Sequence, residues 1–170
     1  MSEYEIFSSI HLFGGLDDGD IHKLFSLCQR GVYEKGEIVM EEGDAEYSMF
    51  FFIEGEVVIS STMTMKATGK LGGKSEVEKS LVKLSAGQVS VIGEMSILED
   101  LPRSATVKAF TPCTFYEINR NDFNAYLESH PRAGVRLLQN ISRILCNRVR
   151  RGNKDIIKLS TALSIALSRV

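Results

Sequence analysis

Residues 92–107 read Ile-Gly-Glu-Met-Ser-Ile-Leu-Glu-Asp-Leu-Pro-Arg-Ser-Ala-Thr-Val, and the fold and the function of the chain both depend on this stretch. Gly93 allows a tight backbone turn that can approach another group closely. The segment from Glu94 to Leu98 is long enough for about one turn of helix. Because the first turn of a helix leaves backbone N–H groups free and carries a partial positive charge, this segment favours an anionic partner.

Charged and hydroxyl side chains continue the same stretch. Arg103 lies nine residues after Glu94 and precedes a strand-like segment, so its guanidinium can bind the same anion, with the hydroxyl of Ser104 beside it. An ionised Glu94 can only accept hydrogen bonds, which indicates that the ligand also carries a hydroxyl. The alternative is an exposed Glu94–Arg103 ion pair that closes a surface turn, since such pairs are common and weak.

The whole stretch resembles the phosphate-binding cassette of cyclic nucleotide-binding domains, which reads Phe-Gly-Glu, a short helix, and then Pro-Arg-Ala/Ser/Thr-Ala-Thr/Ser. Ile92 stands where the family has phenylalanine. The resemblance implies that Glu94 binds the ribose 2′-hydroxyl, and that Arg103 and Ser104 bind the phosphate of cAMP or cGMP. It also implies that backbone amides complete the cradle, at Gly93, Glu94, Met95, Ser96 and Ala105.

The sequence before the cassette has the pattern of short strands. Residues 31–41 alternate apolar and polar side chains, and the nearly continuous apolar run from Tyr47 to Ile53 is followed by Val57 to Ile59. A glycine separates the last two runs, which predicts a β-hairpin. Short strands at this spacing are typical of a barrel, roll or sandwich. Segments 36–44 and 52–57 also resemble the family's glycine pattern, which implies an eight-stranded β-roll.

Two loops are predicted between these strands and the cassette. The polar segment from Thr62 to Ser80 predicts a mobile hairpin loop, and residues 69–75 superficially resemble a phosphate loop. The glycine that the GxxxxGK[ST] pattern requires is Thr68 here, so triphosphate binding is disfavoured. Gly87 lies six residues before Gly93, two more than in the resembling family, which predicts a bulge or a longer loop beside the pocket.

Helices are predicted on both sides of the strands. An aspartate at position 17, 18 or 20 can cap an amphipathic helix that ends near Gly31, and Asn119 or Asn121 can cap another that ends at the next proline. The chain is therefore predicted to be mainly β with flanking helices. We expect a double-stranded β-helix, a jelly-roll-like β-roll, with an N-terminal helix and long C-terminal helices.

The chain is predicted to be helical from Arg132 onward, with apolar stripes before and after Gly152 that are almost in phase. This division predicts a β-roll domain over residues 1–150 and a helical extension over residues 151–170. A stripe this long exceeds what a small roll can cover. Either the helix folds back on its own roll at Gly152, or it pairs with a second subunit; we expect pairing, and so a homodimer. The stripes are Val135, Leu138, Ile141, Leu145 and Val149, then Ile156, Leu159, Leu163 and Leu167.

Four further residues are possible contacts for the base. In cAMP-selective bacterial relatives two neighbouring hydroxyl residues of the long helix hold the adenine amino group, and the resemblance places Arg148 and Val149 at their positions. Val82 and Ile92 are the other possible contacts. Arg148 could stack on a purine or donate to an acceptor on its edge, which tolerates cGMP. The bacterial character of the cassette favours cAMP over cGMP.

The composition of the chain restricts the functions and locations that we expect. The 170 residues are 44% hydrophobic and 25% charged with a net charge of −2, which fits a globular domain and indicates no affinity for nucleic acid. Three scattered cysteines predict a cytoplasmic protein, and no secretion signal or membrane span is visible. His11, His22 and His130 lie far apart in the sequence, so we expect no metal and no cupin-like enzyme.

Three functional hypotheses follow. The first is a cyclic nucleotide-binding regulatory module that repositions its C-terminal helix and acts on an unknown downstream protein. The second is a degenerate β-roll that serves as a dimerisation module. The third is a DNA-binding regulator of the catabolite-activator type, but the 20 residues after Arg150 are too few for its helix-turn-helix. We favour the first because Glu94 and Arg103 are both intact, and a buried charged pair without a ligand costs stability.

Overall fold

The computed structural model describes residues 1–65 and 75–168, with side chains described outside residues 62–81. Within these residues the chain forms eight strands in two four-stranded antiparallel sheets, together with helices. The strands are β1 Gln29–Tyr33, β2 Ile38–Met40, β3 Ser48–Glu54, β4 Glu56–Met65, β5 Ser75–Ser85, β6 Val91–Ile92, β7 Thr106–Ala109 and β8 Cys113–Asn119. The helices are α1 Glu3–Ser8, a 3₁₀ turn His11–Phe13, α2 Asp18–Leu27, α3 Glu94–Leu98, α4 Arg120–Ser129 and α5 Pro131–Leu167.

The sheets pack face to face with strand orders β1-β8-β3-β6 and β2-β7-β4-β5, which confirms the predicted β-roll. Strand β3 pairs with β6 and β8, whereas β4 pairs with β5 and β7. The two strands lie in different sheets, so the hairpin predicted for residues 47–59 is wrong. Gly55 is instead a corner at which the chain passes from one sheet to the other, with a φ of +109° that favours glycine.

Strand β3 explains the continuous apolar run because it is buried on both faces. Phe51 and its neighbours on one face pack against the helices, in a core that also contains Leu137 of α5. Phe50 and Phe52 face the space between the two sheets. There Phe52 stacks on Phe115 of β8, with ring centroids 4.5 Å apart. A strand with two buried faces needs no polar alternation, and the sequence shows none.

The predicted caps of the flanking helices are largely confirmed. Asp17 caps α2, since its carboxylate accepts from the N–H of Asp20 at 2.8 Å. Asn119 caps α4 through the N–H of Asp122 at 2.9 Å. The predicted end of the first of these helices near Gly31 is wrong. Helix α2 ends at Leu27, and Gly31 lies within strand β1, which pairs with β8.

Helix α5 is one continuous helix of 37 residues, and Gly152 lies inside it. The alternative in which the chain folds back at Gly152 is therefore wrong; a single glycine costs a helix only about 1 kcal/mol and need not end it. The first part of α5 packs on the roll, whereas every residue from Cys146 to Ser168 is exposed. Among the described helices, none has the length and hydropathy needed to cross a membrane.

The polar segment from Thr62 to Ser80 is more ordered into strands than expected. Strands β4 and β5 form one long antiparallel pair that reaches Met65 and Ser75. The rest of the predicted loop, residues 66–74, lies outside the described residues, and so does most of the stretch resembling a phosphate loop. Beyond β5, residues 86–90 form a turn and a loop that lead into β6, where the extra residues before Gly93 are accommodated.

The corner at Gly55 is testable by substitution. A Cβ atom at this position would lie 2.5 Å from the carbonyl oxygen of Pro112 and 2.6 Å from the sulfur of Cys113. We expect Gly55→Ala to lower the free energy of unfolding by about 3 kcal/mol or more, because backbone strain and steric overlap add. Gly43→Ala is the control: φ is +90° and nothing lies within 4 Å of its Cβ position.

The control variant should lose only about 1–2 kcal/mol, which is the cost of a left-handed conformation. Urea unfolding curves of the two variants and of the unchanged chain provide the measurement. Equal losses at positions 43 and 55 would contradict the steric role of the corner.

Candidate functional site

The candidate site is built on helix α3 and the glycine that precedes it. Gly93 caps the N-terminus of α3 with a φ of +78°, in the left-handed region. A Cβ atom at Gly93 would lie 2.5 Å from Nη1 of Arg103 and 2.9 Å from the carbonyl oxygen of Ser48. Glycine is therefore required both for the turn and for the close approach of the arginine.

Arg103 is buried, with 4% of the residue exposed. Its Nη1 donates to the carbonyl oxygen of Ser48 at 2.7 Å and to Oγ of Ser96 at 2.6 Å, and its Nη2 donates to Oγ of Ser48 at 2.8 Å. Its main chain is fixed by two 2.9 Å hydrogen bonds to Gly43 and Asp44. Within the described residues, its buried Nε has no partner.

Among the described residues, no direct partner neutralises the charge of Arg103. Burial lowers the pKa of Arg103 from its ordinary value, while the carboxylates of Glu117, Glu46 and Asp44 act in the opposite direction. An arginine titrates so far above neutrality that the side chain stays charged. No carboxylate in the described part of the chain forms an ion pair with it. A buried permanent cation of this kind favours an anionic ligand.

Glu94 is even more buried, with 1% of the residue exposed. Its Oε1 accepts a hydrogen bond from Nη1 of Arg148, whereas Oε2 is buried and has no partner among the described residues. Arg148 also donates from Nη2 to the carbonyl oxygen of Val91 at 3.0 Å. The Glu94–Arg103 pair considered from the sequence is therefore not formed. Arg148, which is predicted to contact the base, donates to the carboxylate of Glu94, which is predicted to bind the ribose.

These side chains surround a cavity of about 110 Å³. Nine of the eleven predicted site residues line it. They are Ile92, Gly93, Glu94, Met95, Ser96, Arg103, Ser104, Ala105 and Arg148. Val82 and Val149 are not among the lining residues, and they are 49% and 62% exposed. Five lining residues were not predicted: the acidic Glu99 and the apolar residues Met40, Ile59, Pro102 and Val107.

Sequence reasoning missed two residues that hold the site together. Ser48 provides two of the three acceptors for the Arg103 side chain described above, and its only signal in the sequence is a hydroxyl at the start of an apolar run. Arg120 of α4 donates to the carbonyl oxygens of Ser96 and Glu99 and to the carboxylate of Asp100, and so holds the C-terminal end of α3. No sequence pattern marks Arg120. In the part of the chain that is described, no three His, Cys, Asp or Glu side chains could share a metal ion.

Comparison with known sequences identifies related proteins. The model of the family described as "Cyclic nucleotide-binding domain" matches residues 30–130, more than half of the chain. Glutaminase 1 of Bradyrhizobium diazoefficiens is 29% identical over 81% of the chain, and a putative potassium channel protein of Rhodopseudomonas palustris is 27% identical over 80%. The cyclic AMP receptor protein of Thermus thermophilus is 27% identical over 88%. The chain spans 20%, 30% and 62% of the lengths of these three relatives, respectively.

Solved structures agree with this match. A cyclic nucleotide-binding domain from Methylobacillus flagellatus has a TM-score of 0.76 at 24% identity, over 91% of this chain and 82% of that one. The catabolite activator protein of Thermus thermophilus has a TM-score of 0.69 at 25% identity, over 88% of this chain and 63% of that one. Since the family model covers most of the β-roll and all of the cassette, the chain belongs to the cyclic nucleotide-binding domain family.

Proposed function

We propose that the chain binds a cyclic purine nucleotide in the cassette cavity, with cAMP preferred over cGMP, and that it acts as a regulatory module. Two buried ionic groups with unused hydrogen-bonding atoms support this proposal above all. These atoms are Nε of Arg103 and Oε2 of Glu94, and each lies on a residue at least nine-tenths buried. Buried polar atoms are normally satisfied, so unused ones beside a cavity favour a ligand.

The proposed ligand matches the chemistry of the cavity. Its single phosphate charge would be bound by Arg103, the hydroxyl of Ser104 and the backbone amides at the start of α3. Its ribose 2′-hydroxyl would be accepted by Glu94, because a carboxylate can only accept. Its purine would lie against the apolar wall, which includes Ile59 and Ile92. Val82 and Val149 remain proposed base contacts.

The preference for cAMP and the absence of catalysis are further parts of the proposal. The similarity to a cyclic AMP receptor protein supports cAMP. Glutaminase and channel relatives match only over a small part of their own length, which fits a binding module that accompanies different activities. Cys28, Cys113 and Cys146 are unpaired, which supports a cytoplasmic location.

The exposed half of α5 supports a homodimer. Val149, Ile156 and Leu163 recur every seven residues, and Gly152 and Leu159 lie between them at spacings of three and four. The four larger side chains of this set are 59–71% exposed. Such a repeat is typical of coiled coils. We propose that residues 1–150 form the sensor and that residues 151–170 extend the dimer.

Thermal melting tests ligand binding directly. At about 100 times its Kd, cAMP should stabilise the folded chain by about 2.7 kcal/mol, which raises the Tm by about 5–10 °C at this size. We expect a smaller rise with cGMP at the same concentration, and none with AMP, whose phosphate is not cyclised. An unchanged Tm with both cyclic nucleotides would instead support the degenerate dimerisation module.

Calorimetric titration tests the phosphate assignment. Arg103→Ala should weaken cAMP binding by about 10- to 100-fold, because a charge-assisted hydrogen bond is lost. Arg132→Ala, an exposed arginine of α5, is the control and should bind like the unchanged chain. Arg103→Lys keeps the charge but loses the planar guanidinium, so its affinity for cAMP should lie between those of Arg103→Ala and the unchanged chain. This variant also changes the fold less than Arg103→Ala. Unchanged affinity in both Arg103 variants would contradict the assignment.

The proposed dimer is tested by two neighbouring isoleucines. Ile156 lies in the seven-residue repeat and is 62% exposed, whereas Ile157 lies outside it and is 65% exposed. Ile156→Asp should convert the dimer to a monomer in analytical ultracentrifugation, because it places a charge at the centre of the contact. Ile157→Asp should leave the dimer intact. A monomeric unchanged chain, or equal effects of the two variants, would overturn the proposed contact.

A further inference from the structure

The side chain of Arg148 covers the carboxylate that the proposed ligand needs. Glu94 comes from the first turn of α3 and Arg148 from the middle of α5, and the two are 54 residues apart in the sequence. Oε1 of Glu94 accepts from Arg148, and Oε2 is buried. In this arrangement Oε1 is already bound, and Oε2, although it has no partner among the described residues, is too buried to be reached by a ligand that enters the cavity.

The same arginine joins α5 to the strand that leads into the cassette. Its second nitrogen, Nη2, donates to the carbonyl oxygen of Val91, which lies just before Ile92 and Gly93. The guanidinium of Arg148 therefore binds both the backbone just before the cassette and the side chain of Glu94. Because the side chain of Arg148 is 43% exposed, releasing it returns a partly hydrated cation to water. The carboxylate of Glu94, which is 1% exposed, then remains buried without its partner, so a donor from the ligand must replace the guanidinium.

We propose that Arg148 is an autoinhibitory latch that must leave Glu94 before the ribose 2′-hydroxyl of the nucleotide can bind there. The latch rests on the proposed cyclic nucleotide binding. The hydroxyl and the guanidinium are both donors, and they compete for one carboxylate. Arg148 also lines a second cavity of about 370 Å³, with Asn147 and Arg151 of α5, which gives the released side chain room to move. Release of the latch removes the hydrogen bonds by which Arg148 joins α5 to Glu94 and Val91.

The latch predicts how much the 2′-hydroxyl contributes to the binding affinity, with and without Arg148. In the unchanged chain, the bond between the hydroxyl and Glu94 replaces the bond from Arg148, so its net contribution to affinity is small. A nucleotide without the hydroxyl leaves the latch in place and gains nothing from its removal. Removing Arg148 should therefore strengthen binding of cAMP and leave binding of 2′-deoxy-cAMP nearly unchanged.

The test is calorimetric titration of full-length variants with cAMP and with 2′-deoxy-cAMP. Arg148→Met should bind cAMP about three- to tenfold more tightly than the unchanged chain, and 2′-deoxy-cAMP within about twofold. Arg150→Met is the control: this exposed residue donates to Asn147 at 3.4 Å, has no ion pair among the described residues, and its loss changes the charge equally. Arg148→Lys keeps the charge without the fork, and should lie between the unchanged chain and Arg148→Met.

The other outcomes are distinguishable. Weaker binding of both nucleotides by Arg148→Met would show that Arg148 contacts the ligand, and would overturn the latch. Weaker binding of cAMP alone would show that Arg148 orients Glu94, and equal strengthening for both nucleotides would show simple obstruction of the cavity; each overturns the latch while leaving the proposed function intact. Failure of the unchanged chain to bind either nucleotide would overturn the proposed function and the latch together.

Discussion

A permanent positive charge buried beside β3 determines the arrangement of the cassette. Removing an ion from water costs several kcal/mol unless other groups replace the lost hydration. Ser48 and Ser96 supply that replacement for Arg103, and Ser96 also donates to the carbonyl oxygen of Gly93 at 2.9 Å. These hydrogen bonds require a serine at position 48, at the start of an otherwise apolar strand, and an orientation of α3 that points Ser96 at the guanidinium. The close approach of Arg103 also requires that residue 93 has no Cβ. The acceptors satisfy hydrogen bonds, but they do not neutralise the charge.

The cassette helix depends on its surroundings because five residues are too few for a stable helix. Arg120 from α4 binds the carbonyl oxygens at its C-terminal end, and Arg148 from α5 binds Glu94 in its first turn. Only His130 separates α4 from α5. A displacement of α3 must therefore either carry these helices with it or break one of the two arginine contacts. This connection gives a ligand in the cavity a physical route to the C-terminal helix, provided that it binds one arrangement better.

Local sequence patterns predicted the parts of this site that are local. The residues picked out between Ile92 and Ala105 line one cavity, and the apolar runs identified most of the strands. The pattern around Gly55 failed because two strands joined by a glycine look the same whether they pair or enter different sheets. The contacts of Arg148 could not be predicted, because its partner depends on how a distant helix packs against the roll. Ser48 was missed for the same reason, since nothing local marks a serine as an arginine acceptor.

The continuity of α5 connects the ligand site to the proposed dimer. Isolated helices shorter than about 12–15 residues are marginal in water, and longer ones still gain most of their stability from packing. The helix nevertheless continues from Cys146 to Leu167 with every residue exposed. A second subunit packed against its apolar seam, formed by Val149, Ile156, Leu159 and Leu163, would supply the missing packing. Val149, the first exposed member of that seam, directly follows Arg148. In the proposed dimer, a second copy that fixes the helix there would also bias the contact between Arg148 and Glu94, and by linkage a ligand that breaks this contact would alter the affinity between the copies.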